Sequence, residues 1–182
     1  MLFQDAIGQL KPQDEDGVTV VIETPMGSRQ KYDVDHDTGL FKWALELPEG
    51  VTFPFSFGFV PNTLAEDGDP LDIMLLIDGE IPQGTVVKAR VVGVLQAEQD
   101  EGHDGEAEMV RNDRIVAVAN LSRVYTGVRA LDDLRPGLMW EFEQFFVTYN
   151  KMIKRDFRVL DRGSAEQAQQ MLVEAVERAN KG

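Results

Sequence analysis

The chain has 182 residues, 43% hydrophobic and 27% charged, an ordinary composition for a single globular domain that buries roughly two-thirds of its unfolded surface. A formal net charge of −14 excludes the basic footprint that nucleic-acid phosphates or an anionic membrane surface would need, so neither is expected as a partner. The chain has no cysteine for disulfides or thiolate chemistry, no basic leader followed by an apolar core, and no apolar run near the roughly eighteen residues of a membrane span; it is expected to be soluble and cytoplasmic.

Residues 1–17 read as a polar lead-in, with Pro12 and the acidic run from Asp14 to Asp16. The β-branched stretch Val18–Glu23 predicts a strand. Pro25, Gly27 and Ser28 turn the chain into a second, alternating strand at Gln30–Asp35, where Lys31 and Asp33 share one face and Tyr32 and Val34 the other. Asp37, Thr38 and Gly39 make a tight turn into Leu40–Leu45, and the three strands together suggest an antiparallel meander. From Phe53 to Phe59 aromatics alternate with small residues, which describes a strand with one heavy and one thin face and puts Phe55 and Phe59 in the core.

The stretch Asp67-Gly68-Asp69-Pro70-Leu71-Asp72 sets three carboxylates within six residues, directly ahead of the apolar run Ile73–Leu76. In an extended backbone Asp67 and Asp69 project to one side, and a turn at Pro70 brings Asp72 back towards them. Carboxylates held that close repel one another unless a cation sits between them. Oxygen-only ligands in so small a cluster, with room left for water and substrate oxygens, are how Mg²⁺ is usually held. As a bare pattern the same residues describe a turn or a solvated acidic face. A calcium loop of the EF-hand kind fits poorly, because Leu71 and Leu75 break the alternation and Asp78 falls where the closing glutamate belongs.

Gly84–Leu95 predicts one long strand, or two broken at Gly93, and Ile115–Ala119 another. Between them residues 96–113 carry acidic side chains at 98, 100, 101, 104, 106, 108 and 113, a pattern of a solvated loop or of the completion of a metal site. The remainder reads as helical. Leu138, Phe142, Phe145, Phe146, Tyr149 and Ile153 form one apolar stripe, and Ser164 with Gln167 makes a capping box ahead of Ala168, Met171, Leu172, Ala175 and Val176. Trp43 and Trp140 read as packing residues, Met139 as a core or oligomer contact, and His36 and His103 lack ligand spacing to any partner. The fold class is α+β, mainly β: one domain over 1–182, with a lead-in (1–17), barrel strands and metal loops (18–120), and two C-terminal helices packed on the outside (130–182).

With these segments in this order, the sequence resembles the family I soluble inorganic pyrophosphatases. Asp67-Gly68-Asp69-Pro70-Leu71-Asp72 fits that family's signature Asp-x-Asp-Pro-apolar-Asp, and Val20–Glu23, Lys31-Tyr32, Phe53-Pro54, Phe57–Phe59, Gly84–Leu95, Asp100–Gly102 and Phe145-Phe146 with Tyr149 stand where its other segments stand. The resemblance implies an OB-like five-stranded barrel, a homo-oligomer (a hexamer among bacterial members), and hydrolysis of pyrophosphate to two phosphates with Mg²⁺, Mn²⁺ being the other candidate. It implies Asp67, Asp72 and Asp100 as metal ligands and Asp69 as the group that takes the proton of the metal-shared water. Lys31, Arg114 and Tyr149 would grip phosphate oxygens, with Glu23 and Asp33 ordering metal-bound water.

The sequence departs from that family's pattern at several of these places. No arginine follows the Gly39 turn, where Lys42 is the nearest cation; Phe53 and Phe57 replace tyrosines, and Arg114 replaces a lysine. Asn112 stands at the second acidic-loop carboxylate, with Asp104 and Asp113 nearby, and Asp33 shortens a glutamate. Asn150 stands where the family has a lysine, leaving Lys151 as the near substitute. Two functions follow as alternatives: a divergent metal-dependent pyrophosphatase, or a chain of the same fold that binds or hydrolyses another phosphorylated ligand or serves as a binding partner.

Overall fold

The computed structural model describes residues 3–35, 38–100 and 108–181. Its organising strand is β2 (Gly17–Thr24), buried from Val18 onward, as an almost unbroken β-branched run requires. β2 pairs with β5 (Ser56–Phe59), β5 with β6 (Asp72–Leu76), β6 in parallel with β9 (Arg114–Ala119), and β9 with β7 (Val86–Asp100). β7 then returns to pair with β2, Val18 opposite Ala89. The ring is closed, so the five strands of the expected barrel leave no open edge between them.

Alternation along the strands sorts side chains to two helices. Ile73, Leu75, Ile115 and Ala117 join Ala168, Leu172 and Ala175 of α3 (Ala165–Ala179). Met74, Leu76, Val116 and Val118 join the apolar stripe of α2 (Leu138–Met152). On that second face Phe53, Phe55 and Phe57 meet Phe142, Phe145, Phe146 and Tyr149. The Phe55–Phe142 rings lie edge to face at 4.8 Å and the Phe53–Phe145 centroids 5.0 Å apart, contacts worth about 0.5–1.5 kcal/mol each beyond area burial. The capping box of α3 is present, with Ser164 and Gln167 exchanging both bonds.

Several expectations are corrected. The polar lead-in carries regular structure: it contains α1 (Phe3–Gly8) and β1 (Gln13–Asp14), the latter paired with β2. Ile7 and Leu10 pack against Val21, Val34 and Phe59, and Asn62 Nδ2 donates to the Leu10 carbonyl at 2.7 Å. The meander does not form. β3 (Gln30–Val34) and β4 (Phe41–Glu46) make a separate hairpin, tied to β2 by side chains. The Tyr32 amide donates to Thr24 Oγ1, and the Val34 amide to Glu23 Oε1.

Gly93 does not break β7. It follows a bulge at Val92, and a Cβ there would fall 2.4 Å from the side chain of Leu131, so only glycine lets that turn of chain pack down. β7 also runs on through residues read as loop, to Asp100, carrying β8 (Met109–Arg111) on its far half. The region after 130 is not wholly helical: β10 (Phe157–Gly163) separates the two helices and pairs with β7, where β-sheet hydrogen bonding outweighs the polar composition of Arg158, Asp161 and Arg162. Trp43 and Trp140 are more than half exposed rather than packed. His36, His103, Glu101 and Asp104 lie outside the described residues. Among the described residues no helix is long and apolar enough to cross a membrane.

Candidate active site

A cavity of about 650 Å³ opens between the barrel, the β3–β4 hairpin and the end of α2. Glu23, Lys31, Asp33, Asp67, Asp69, Asp72, Arg114 and Tyr149 all line it, together with Gln99, Asn112 and Arg155. Asp100 does not. It sits at the end of β7, its amide bonded to the Asp156 carbonyl and its Oδ1 accepting the Glu108 amide.

The loop carrying the aspartates is a tight turn, not an extended segment. The Asp69 amide donates to Asp67 Oδ1 at 3.1 Å, the Ala65 amide donates to the Asp69 carbonyl at 2.7 Å, and Gly68 takes φ +92°, a region open mainly to glycine. Its base is fastened twice. Thr63 Oγ1 accepts the Leu71 amide and donates to the Val60 carbonyl. From α3, the Ala175 carbonyl accepts the Leu64 amide, and Arg178 Nε donates to the Leu64 carbonyl. Asp72 opens β6 and so rides on the barrel itself.

The carboxylates on this wall resist ionisation. Glu23 is buried and its pKa is pushed up to about 8, chiefly by desolvation and then by Asp72 and Asp33, against the pull of the Val34 amide. Desolvation also lifts Asp72 to about 6, although Arg114 and Lys31 act to lower it. Asp67 is raised by burial and by the neighbouring charge of Asp69. Lys31 pairs with Asp33; burial opposes its charge, but Asp33, Tyr149 and Asp72 outweigh that and raise its pKa.

Arg114 is 3% exposed and enclosed. Nη1 donates to the Asn112 carbonyl at 2.7 Å and Nη2 to Gln99 Oε1 at 3.1 Å, while the guanidinium carbon lies 4.5 Å from the Phe146 ring centroid and 4.8 Å from that of Phe157. Its Nε is 3.9 Å from Asp72 Oδ2 and has no hydrogen-bond partner. The cation is thus fixed in the wall and aimed at the carboxylate cluster.

The near substitutes for missing family residues go elsewhere. Lys42 pairs with Asp35, and Asp113 accepts the Ala97 amide and Arg111 Nε. Lys151 is exposed and Asn150 wholly buried, and neither lines the cavity. Sequence reasoning missed Gln99 and Arg155. The signal for Gln99 is the alternation Leu95, Ala97, Gln99 on the buried face of β7, which turns Asp100 to the opposite face.

The acidic donors are all carboxylate oxygens, and for Glu23, Asp67 and Asp72 burial raises the pKa, a cost that a bound cation would offset. In kind they fit a hard divalent cation. Among the described residues no three acidic or histidine side chains converge closely enough to enclose one unaided, which leaves coordination positions for water and substrate oxygens.

The chain is similar along most of its length to known proteins. The sequence pattern of the inorganic pyrophosphatase family matches residues 20–180. An inorganic pyrophosphatase of Nostoc is 33% identical over 171 residues, covering 93% of this chain and 96% of that protein. One of Synechocystis is 36% identical over 143 residues, covering 79% of this chain and 80% of that protein. The crystal structure of the Thermus thermophilus inorganic pyrophosphatase superposes with a TM-score of 0.86 at 30% identity, over 97% of this chain and 99% of that one. A match that runs nearly end to end, in both sequence and fold, means that this chain belongs to the inorganic pyrophosphatase family, a family of metalloenzymes.

Proposed function

We propose that the chain hydrolyses inorganic pyrophosphate to two phosphates in the presence of Mg²⁺, with Mn²⁺ able to replace it. The observation that carries the reading is the convergence of Asp67, Asp69, Asp72, Glu23 and Asp33 with Lys31, Arg114 and Tyr149 on one cavity. Phosphoryl transfer asks a protein mainly for positioning and for electrostatic stabilisation, and this set supplies both signs of charge. Asp67 and Asp72 would hold the cation, which supplies charge neutralisation for the substrate and acidifies the attacking water.

Asp69 is exposed at the tip of its turn and would take the proton of that water as its oxygen bonds to phosphorus and the anhydride P–O bond breaks. Lys31 and the fixed guanidinium of Arg114 stabilise charge on the departing phosphate, and the Tyr149 hydroxyl donates to a phosphate oxygen. Glu23 and Asp33 order water at the back of the cavity. Asp100 is retained as a ligand only if the end of β7 turns on cation binding, since here its carboxylate faces the Glu108 amide.

By the same family likeness we infer a homo-oligomer, a hexamer, and a cytoplasmic location, which a chain without cysteine suits. The test is phosphate release from pyrophosphate with Mg²⁺, Mn²⁺ or EDTA, with Asp69→Asn alongside. Metal-dependent release that falls by about a hundredfold or more in Asp69→Asn is expected for the loss of a general base. No release with any metal, from folded protein that Mg²⁺ still stabilises, would refute pyrophosphate turnover and favour another phosphorylated ligand, as the missing hydroxyls of Phe53 and Phe57 would suit.

A further inference from the structure

Among the described residues the cavity-lining cations are Lys31, Arg114 and Arg155; Lys31 and Arg114 are built into its walls. Lys31 is held by Asp33 on the same strand face. Arg114 is buried against the stacked rings of Phe146 and Phe157, with both Nη atoms donating to Asn112 and Gln99. Neither can travel far towards a substrate.

Arg155 reaches the cavity by a different route. α2 ends with the Asn150 carbonyl accepting the amides of both Ile153 and Arg155, at 3.1 and 3.0 Å. Lys154 between them takes φ +62°, a left-handed residue that reverses the chain, as at many helix C-termini. The reversal returns Ile153 and Arg155 to the same wall as Tyr149, one turn of helix back, while Lys151 and Lys154 stay off it. Asn150 fixes the turn from inside: it is wholly buried, and its Nδ2 donates to the Phe146 carbonyl at 2.9 Å. The outcome is an exposed, long guanidinium side chain on a fixed backbone at the rim of a cavity that handles phosphate.

We propose that Arg155 is a substrate-binding residue, whose guanidinium clamps the phosphate group lying at the cavity mouth. The inference rests on the phosphate-handling reading above and goes beyond it in naming a group outside the family signature. A guanidinium matches two phosphate oxygens with a planar fork, which neither Lys31 nor the enclosed Arg114 presents to the mouth. Because the side chain is exposed and the turn is held by backbone bonds, its removal should leave the fold intact.

The test compares wild type, Arg155→Ala, Arg155→Lys and Lys154→Ala with Mg²⁺, reading KM and kcat for pyrophosphate and, by calorimetry, equilibrium binding of inorganic phosphate. Expected are a rise in KM and a weakening of phosphate binding of tenfold or more in Arg155→Ala, partial recovery in Arg155→Lys, kcat within a few-fold, and no change in Lys154→Ala. Equal KM and equal phosphate affinity in wild type and Arg155→Ala would overturn the proposal. If wild type releases no phosphate, pyrophosphate turnover fails on its own. The calorimetry still decides for Arg155: retained phosphate affinity in Arg155→Ala overturns its role and lost affinity supports it.

Discussion

The two walls of the cavity solve opposite problems. On one, Glu23, Asp67 and Asp72 are partly or fully desolvated and lifted above their ordinary pKa values; the protein holds acidic groups there that ionise only against burial and one another's charge. On the other, Arg114 has acceptors for both Nη atoms and lies against the stacked rings of Phe146 and Phe157. The carboxylate wall costs the folded protein stability and gains an affinity for cations. The arginine wall is packed as core and stays put whatever the cavity holds. A site that must receive mobile cations and an anionic substrate needs one wall of each kind.

The difference is broken most severely by Arg114→Ala. Removing the guanidinium takes a donor from the buried Gln99 Oε1, leaves a void beside the stacked Phe146 and Phe157 rings, and deprives Asp72 of the cation 3.9 Å from it. Loss of one partner from a buried charge pair destabilises by about 3–5 kcal/mol, and a loss of that size is expected in urea unfolding. Arg114→Lys keeps the charge but not the planar guanidinium against the Phe146 and Phe157 rings or its two Nη bonds, so it should recover only part. A loss below about 1 kcal/mol in Arg114→Ala would mean that this wall is not packed as described.

A smaller effect isolates the carboxylate wall. The folded pKa of Glu23, about 8, lies above its ordinary 4.5. Its contribution to stability is therefore complete below about pH 4.5 and is lost as pH rises through 8, because the unfolded chain releases the proton first. Without divalent cations the wild type should weaken over that window. Glu23→Gln cannot ionise, and its amide oxygen can still accept the Val34 amide. The variant should show a flatter pH profile and exceed wild type at pH 8 by about 1–3 kcal/mol. Parallel profiles would remove Glu23 from the desolvated set.

Much of this arrangement was legible in the chain. The Asp67–Asp72 run, the strand at Val18–Glu23 and the aromatic stripe of α2 each announce themselves by local pattern, and the structure brings the aspartates, the Glu23 end of the strand and Phe146 and Tyr149 of the stripe to the cavity. What was not legible depends on pairing. Whether Gln99 or Asp100 faces the cavity is settled by β7 continuing as a strand against β8 and β10, and one residue of register exchanges the two faces. β10 itself is polar on its exposed positions and becomes a strand only because β7 offers an edge. Arg155 is invisible for a third reason: its place follows from the left-handed Lys154, and lysine carries no sequence signal for that conformation. Local chemistry could be read directly, whereas register and chain reversal are products of the assembled fold.

The finest separation of the two walls comes from Asp72, which belongs to the carboxylate cluster yet faces Arg114. Its folded pKa, about 6, is above the ordinary 3.8, so its contribution to stability is present below about pH 3.8, is lost as pH rises to 6, and stays lost at pH 7. Asp72→Asn removes that cost but also leaves Arg114 without its counter-charge, 3.9 Å away. The two terms oppose each other, and a net gain near 1 kcal/mol at pH 7 in the cation-free protein is expected, less than the desolvation alone would give. Adding Mg²⁺ should reverse the ranking in a thermal melt: wild type gains by mass action in proportion to its affinity, whereas the variant, short of a ligand, gains little. A variant less stable than wild type without cation would show that Asp72 serves mainly as the partner of Arg114. One that still responds fully to Mg²⁺ would show that the cation is held by Asp67 and its neighbours without it.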